Sequence, residues 1–122
     1  MSPGVYRYET YGHQLAKTID GDKRAGLAVA ALGQGYVEHG AINIVFSAVY
    51  ERTTKRYGER GIRYVHMEAG HAAQNAYLQT VALDLGTVII GAFHDDQVRE
   101  ALSLPKQEQP LYIMPVEKKK VR

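Results

Sequence analysis

The chain of 122 residues contains a carboxylate and an imidazole at a spacing that binds metal in other proteins. Glu68 and His71 stand three residues apart in a helical pattern, so they share a helix face, as in di-iron helix bundles. A di-iron site needs a second such pair and two further glutamates from other helices, and the chain offers neither. We therefore predict no metal site and interpret both as structural side chains near a helix interface.

A second candidate is the run Lys55-Arg56-Tyr57, at the start of a long helical pattern. A cation beside a phenol can lower the phenol pKa and make it a proton donor or acceptor. The alternative is a solvated helix end whose charged side chains form surface pairs of small value. On the residues alone, the solvated end is the favoured interpretation.

A third candidate is the stretch from Leu85 to Phe93, LGTVIIGAF, which ends in the small residues Gly91 and Ala92 before the phenylalanine. Small residues let main-chain amides approach a flat ligand, and the apolar part can line its ring face. The alternative, a buried strand with a glycine turn, is favoured on the residues alone. No G-x-G-x-x-G, P-loop, G-x-S-x-G or zinc spacing occurs in the chain.

The element that must position these candidates is a long helix from Ile62 onward. Two adjacent apolar rows predict burial over much of its circumference, inside a domain or at a subunit interface. The first row comprises Ile62, Val65, Ala69, Ala72, Ala76, Thr80 and Leu83, and the second Met67, Gly70, Gln74, Leu78, Val81 and Leu85. The small residues at 69–76 let another backbone come close, and Gly86 is predicted to form the C-terminal cap.

The remaining pattern predicts one mixed domain over residues 1–122 rather than an alternating doubly wound fold. The first half of the chain is predicted to contain a hairpin at 5–19, a helix capped by Asp20-Gly21-Asp22 and ended by Gly33, a polar connection at 34–40 and a strand at 41–50 that is buried on both faces. The long helical region is predicted to break near Gly58 and Gly61. After it, we predict an extended segment at 87–93, a helix capped by His94 or Asp95 that runs to Leu102, a loop at 105–109 and a strand at 111–116.

Composition limits the function classes. The chain is 45% hydrophobic and 23% charged, with a net charge of +2 that is too small to argue for nucleic acid. It contains no cysteine, which excludes disulfides, thiolate metal sites and a cysteine nucleophile. No apolar run approaches the roughly 20 residues of a membrane span, and no signal-peptide pattern follows Met1. These features predict a cytoplasmic protein without a membrane partner.

Four segments in order resemble the SagB-type dehydrogenases, a branch of the nitroreductase-like flavoproteins that includes azoline oxidases. They are GVYRYETYGHQL, GDKRAGLAVAALGQ, the run from YERTTKRYGERG to LGTVIIGAF, and PLYIMPV. The resemblance covers nearly the whole chain, and RYGERGIRYVHMEAGHAAQNAYL is its most specific part. It implies an α+β nitroreductase-like fold in which a mixed antiparallel sheet packs on a long central helix.

The resemblance also implies that two subunits share a long-helix interface and hold FMN between them. The cofactor would shuttle hydride between NAD(P)H or a substrate and an acceptor. The implied cofactor-binding residues on the chain's extended segment are Thr87, Ile89, Ile90, Gly91 and Ala92. Main-chain amides there would lie near the reactive nitrogen of the flavin.

The azoline-oxidase branch has a Lys-Tyr pair in a W-K-Y-G-E-R stretch, which implies Arg56 and Tyr57 as catalytic residues here. Tyr57 matches the tyrosine, whereas Arg56 stands in place of the lysine and Lys55 lies one position earlier. Arginine stays protonated and is a poor general base, which argues against azoline oxidation in particular.

The matched region departs from the family in lacking the R-x-S-x-R-like segment that grips the FMN phosphate. Lys118 and Arg122 in the basic tail are the candidates for that charge. Two expectations follow from the resemblance and this departure. The first is an FMN-dependent oxidoreductase that works as a homodimer on a small-molecule substrate. The alternative is a flavin-free family member that acts as a structural or partner-binding domain, completed by a second chain. The substrate and the nicotinamide preference stay open.

Overall fold

The computed structural model describes residues 1–119. Its elements in chain order are β1 (Gly4–Glu9), β2 (Gln14–Asp20), α1 (Arg24–Ala30), α2 (Gly35–His39), β3 (Ile42–Ala48), α3 (Glu51–Tyr57), α4 (Arg60–Ala82), β4 (Leu85–Thr87), α5 (Asp95–Ala101) and β5 (Gln109–Lys118). Helices and antiparallel strands in this order make an α+β fold, as predicted.

The first two strands form the predicted hairpin. They pair antiparallel from Gly4 opposite Asp20 to Glu9 opposite Gln14. The turn uses left-handed backbone at Gly12 and His13, with φ of 82° and 48°. Glycine adopts that conformation without steric cost, which explains why the chain reverses there.

Strand β5 is the centre of a three-stranded antiparallel sheet with β3 and β4 on its two sides. Ile113 and Met114 of β5 are fully buried. Our prediction that β3 is buried on both faces is wrong, since β3 is an edge strand and Ile42 is 52% exposed. A continuous apolar run indicates a strand that can be covered on both sides, but coverage depends on which elements lie beside it.

Helices α1, α2 and α5 enclose the core against one side of this sheet. The buried cluster comprises Leu27, Ala28, Ala30, Ala31, Val37, Ile90, Val98, Leu102 and Ile113. The prediction of a polar connection at residues 34–40 is wrong, because α2 occupies it and anchors on the fully buried Val37. A five-residue helix with one buried side chain has too little periodicity to be recognised in a sequence.

The predicted break in the long helical region is confirmed. Gly58 takes a left-handed φ of 63° between α3 and α4. A Cβ added at Gly61 would come within 3.0 Å of the Thr54 backbone, so glycine there permits close packing of the two helices. The predicted cap at Gly86 is wrong, because α4 ends at Ala82 and Asp84 adopts the left-handed φ of 58°. Aspartate tolerates that region better than most residues with a Cβ.

The starts of α1 and α5 differ in part from the prediction. Helix α1 begins after Lys23, and the Asp22 carboxylate accepts a hydrogen bond from the Arg24 main-chain N–H at 3.0 Å. Helix α5 begins after His94, whose side chain forms no cap bond. Aspartates in the first turn, Asp95 and Asp96, still favour this helix end through the helix dipole.

Helix α4 buries only part of the first of its two apolar rows. Val65 and Thr80 of the first row are buried, whereas Met67, Leu78 and Val81 of the second row are 52%, 57% and 46% exposed. The helix runs for 23 residues, and in residues 1–119 no helix is long and apolar enough to cross a lipid bilayer. The second row of α4 is therefore an apolar face without a neighbour in the described chain.

Candidate functional site

Arg56 and Tyr57 lie in the last turn of α3, where the glycine break turns the chain into α4. The guanidinium carbon of Arg56 lies 5.4 Å from the centroid of the Tyr57 ring. The Tyr57 side chain is half exposed, so its hydroxyl is open to a ligand. Since a cation over an aromatic face is attracted by the ring quadrupole, Arg56 and Tyr57 form a stable pair at this surface.

The structure enlarges this pair into a cluster that sequence analysis missed. The Tyr64 ring lies edge-on to the Tyr57 ring, with 5.2 Å between centroids. Arg60 stands 5.7 Å from the Tyr64 ring centroid and donates from Nε to the Tyr64 hydroxyl at 3.2 Å. Arg60 and Tyr64 are four residues apart on one helix, and this spacing could have predicted their contact from the sequence. Two arginines and two tyrosines thus present a cationic, aromatic surface at the α3–α4 junction.

The start of α4 carries a second partnership that the sequence did not show. The Tyr50 hydroxyl lies 2.6 Å from Nε2 of His66, and the two rings meet edge-on with centroids 5.5 Å apart. Burial, together with the negative charge of Asp95, raises the pKa of Tyr50. His66 also lines a shallow cavity of about 630 Å³ with Arg60 and Arg63.

The segment that follows α4 is fixed by the sheet. The Thr87 hydroxyl donates to the Pro115 carbonyl at 2.8 Å. Ile90 and Ile113 exchange two main-chain hydrogen bonds of 2.9 Å. The Ile90 side chain is 5% exposed and packs in the core, so it offers no surface to a ligand. Ile89 is half-buried beside it.

Gly91 and Ala92 are exposed at the end of this segment. Within the described part of the chain, neither main-chain N–H has a protein acceptor. A Cβ added at Gly91 would lie 3.8 Å from the Tyr112 ring, which is ordinary contact distance and leaves the surface open. Exposed N–H donors next to small side chains fit the edge of a flat ring with hydrogen-bond acceptors, such as a flavin.

Of the two predicted phosphate-binding residues, Lys118 and Arg122, the structure describes only Lys118. Lys118 is exposed at the end of β5, opposite Leu85 of β4. Its neighbour Lys119 lies 3.6 Å from the Asp84 carboxylate. Arg122 lies outside the described residues, so the structure says nothing about that prediction. Lys118 therefore offers one accessible positive charge at the strand edge where the ring-facing segment begins.

The two groups of candidate residues do not meet in one chain. Within residues 1–119, no hydrogen bond, ion pair or ring contact joins Arg56 or Tyr57 to the segment at 89–92. Glu68 and His71 are both exposed on α4, and residues 1–119 contain no cluster of three histidine, aspartate or glutamate side chains arranged for a metal ion.

A groove of about 850 Å³ separates the hairpin from the edge strand β3. An ion pair crosses the groove, between the Arg7 guanidinium and the buried carboxylate of Glu108 at 3.0 Å. The same carboxylate accepts a hydrogen bond from the Ser47 hydroxyl at 2.9 Å. The wall includes Asn43, whose amide donates to the Val37 carbonyl at 2.9 Å. The Asn43 Oδ1 is buried and has no hydrogen-bond partner among residues 1–119, which is uncommon in a completed core.

An antiparallel sheet packed on a long helix, with an exposed main-chain turn beside the sheet, defines the class of this protein as an α+β domain with a ligand-accessible sheet edge. The model of the nitroreductase family matches residues 3–116. The chain therefore belongs to the nitroreductase family.

Three relatives show how far the similarity reaches. The candidate nitroreductase MJ1384 of Methanocaldococcus jannaschii is 47% identical over 119 residues, which cover 98% of this chain and 59% of that protein. A candidate nitroreductase of Anabaena variabilis has a crystal structure with a TM-score of 0.92 at 32% identity, covering 98% of this chain and 25% of the other. The NADPH:FMN oxidoreductase of Vibrio harveyi, solved in complex with NAD⁺, has a TM-score of 0.67 at 30% identity. The match covers 82% of this chain and 50% of the Vibrio chain.

Proposed function

We propose that this chain is an FMN-dependent oxidoreductase of the nitroreductase type. The observation that carries the proposal is the pair of exposed main-chain N–H groups at Gly91 and Ala92, without protein acceptors among the described residues, in a member of this family. Bound FMN would supply hydride transfer between NAD(P)H or a substrate and an acceptor. Because the chain spans 59% of its Methanocaldococcus relative, the activity of the whole protein is part of this proposal.

The segment around Gly91 binds the ring in this proposal. The main-chain donors of Gly91 and Ala92 stabilise negative charge on the ring edge, which favours the reduced state. Thr87 and Ile90 hold the segment against β5 through the bonds to Pro115 and Ile113. Ile89 contributes apolar surface to the ring face. Fixed donors cost little reorganisation during the reaction, so a rigid segment tunes the potential better than a mobile loop.

The phosphate end of the cofactor is assigned to the basic tail. Lys118 is exposed and carries a full positive charge, and Arg122 supplies a second charge in this proposal. A lysine binds phosphate as a point charge, whereas an arginine binds it with a planar pair of donors.

Tyr57 and Arg56 handle the proton in the proposed reaction. The Tyr57 hydroxyl gives a proton to the substrate atom that becomes negative, or takes one from it, since a phenol can act in both directions. The Arg56 guanidinium lies beside the Tyr57 ring, and because arginine does not release its own proton, the transfer is assigned to Tyr57. The RYGERG stretch supports membership of the SagB branch, while arginine in the lysine position favours a reaction other than azoline oxidation.

A homodimer completes this arrangement. The exposed apolar row of α4, with Met67, Leu78 and Val81, is the surface that we assign to pairing, and it continues past the small residues at 69–76. Pairing two copies along α4 buries this row and supplies the second side of the cofactor site. We infer a cytoplasmic location from the reducing-compartment composition, with no cysteine in the chain.

The experiment is an absorbance scan of freshly purified protein, repeated after excess FMN has been added and the unbound fraction removed. A flavin band that stays with the protein and is released by denaturation is the expected result. A colourless protein that also fails to retain added FMN would overturn the proposal. Titration of the bound flavin with NADPH and NADH then identifies the reductant.

The groove beside β3 supports a second function, a flavin-free domain that binds a partner chain. Its volume of about 850 Å³, the half-buried edge strand and the unpartnered Asn43 Oδ1 are features of a surface that another polypeptide covers. In this role the chain keeps the fold and the dimer, and a second chain fills the groove. Stoichiometric binding of FMN with micromolar or tighter affinity would count decisively against it.

A further inference from the structure

The three residues Gly91 to Phe93 form a bridge between two fixed points. At one end, Ile90 exchanges main-chain hydrogen bonds with Ile113, and at the other the N–H of His94 donates to the Ala30 carbonyl at 2.9 Å. Between these points, one side chain holds the bridge, since Nε2 of Gln34 donates to the Ala92 carbonyl at 3.0 Å. The main chain of the bridge is therefore oriented by a residue from a different part of the sequence.

Gln34 is itself held firmly. Its Nε2 also donates to the Ala31 carbonyl at 2.8 Å, and its main-chain N–H donates to the same carbonyl at 3.2 Å. The chain reaches this position through two left-handed residues, Leu32 and Gly33, with φ of 61° and 69°. A left-handed leucine is unfavourable because its Cβ crowds the following carbonyl. The Leu32 side chain is 56% exposed, so its own packing offsets little of that strain, and the turn serves to place Gln34.

The bond to Ala92 fixes a peptide plane. Every peptide bond in the described chain is trans, so the carbonyl of Ala92 and the N–H of Phe93 point in opposite directions. Holding the carbonyl toward α1 turns the Phe93 N–H away from it. This peptide turns about ψ of Ala92 and φ of Phe93, and the neighbouring Gly91 accepts a wide range of backbone angles, so without the clamp the main chain of the bridge could reorient.

We propose that Gln34 is a positioning residue that clamps the Ala92–Phe93 peptide and thereby restrains the main chain that carries the Gly91 and Ala92 N–H groups offered to the flavin ring. The flavin half of this proposal rests on the proposed function, whereas the clamp concerns the protein alone. The clamp acts at a distance in sequence, because Gln34 follows α1 and the bridge follows β4. Gln34 contributes no chemistry to the reaction itself.

The test uses Gln34→Leu, which keeps the side-chain volume but cannot donate, and Gln34→Glu, which replaces the donor with a carboxylate. Gln107→Leu is the matched control, because Gln107 is exposed in the loop between α5 and β5. The first readout is amide hydrogen exchange of the flavin-free protein, resolved at Ile90 and His94, whose hydrogen-bonded main-chain N–H groups flank the bridge. We expect exchange at these amides to become about fivefold faster in both Gln34 variants, as for the loss of one neutral hydrogen bond, and to stay unchanged in the control.

The second readout is the midpoint potential of bound FMN with its dissociation constant. We expect a potential different from that of the wild type and binding about fivefold weaker in the Gln34 variants, with the control at wild-type values. Unchanged exchange in both Gln34 variants would overturn the clamp. Faster exchange with an unchanged potential would overturn the flavin half. A wild-type protein that binds no FMN would overturn the proposed function, and the exchange data would still decide the clamp.

Discussion

The Tyr50 hydroxyl lies 2.6 Å from Nε2 of His66 and connects the residue before α3 to the early turns of α4. Burial raises the pKa of Tyr50, so its hydroxyl keeps its proton through neutral pH. The pair therefore holds the α3–α4 junction, where the Arg56–Tyr57 surface is located, in a fixed position relative to the sheet.

Tyr50→Phe is expected to lower the free energy of unfolding by about 1 kcal/mol, the usual net contribution of one hydrogen bond. Urea denaturation measures this loss, and a double-mutant cycle with His66→Phe isolates the coupling between the two side chains. Tyr36→Phe is the control, because Tyr36 is 67% exposed. Additive losses in the cycle would show that Tyr50 and His66 do not interact.

Tyr57→Phe is expected to lower kcat by about 10²-fold or more, because the variant keeps the ring but loses the hydroxyl proton that general acid–base catalysis requires. The affinity for FMN should stay within about twofold of the wild type, since no described contact joins Tyr57 to the ring-facing segment. Stopped-flow reduction and reoxidation of the flavin separate the two effects. Tyr11→Phe at the exposed hairpin tip is the control. A Tyr57→Phe enzyme with unchanged kcat would remove Tyr57 from the reaction.

Leu78→Arg is expected to convert a dimer into a monomer at micromolar concentration. Leu78 is 57% exposed in one chain, and a charge there would be buried without a partner when two α4 helices pack together. Sedimentation velocity measures the change. Leu15→Arg on β2, at a residue that is 50% exposed, is the matched control and should leave the dimer intact. A wild-type protein that sediments as a monomer would contradict the dimer itself.

Asp22→Asn is expected to destabilise the protein at neutral pH but not in strong acid. Hydrogen bonds from Arg24 lower the pKa of Asp22 from 3.8 to about 2. A carboxyl whose folded pKa is depressed contributes stability above its unfolded pKa and loses that contribution as the pH falls through the folded value. The difference in urea midpoint between wild type and variant should therefore be constant above about pH 4 and shrink toward zero near pH 2. A difference that stays constant across this range would exclude the linkage.

Local pattern predicted much of the fold. The hairpin, the glycine break between α3 and α4, helix α5 and the last strand follow from side-chain periodicity and turn residues, which depend on backbone geometry within a few residues. Helix α2 was not predicted because its single buried side chain, Val37, produces no helical periodicity in the sequence. The end of α4 was misplaced because Asp84 took the left-handed role expected of Gly86.

The candidate site was harder to predict. The residue types at Arg56, Tyr57, Gly91 and Ala92 indicated chemistry, and the resemblance to a family assigned them roles that stay predictions. Tyr64 joined the Arg56–Tyr57 pair only when the helices were packed. Gln34 and Ala92 lie 58 positions apart, so no local pattern links them.

The sequence by itself determined most of the element types, the absence of cysteine chemistry and the family, because periodicity, composition and motif are properties of the chain in order. The tertiary structure decided that β3 is an edge strand, that one row of α4 faces outward and that Gln34 meets Ala92. These outcomes depend on which surfaces pack together, and the free energy of packing belongs to contacts between distant residues rather than to any segment.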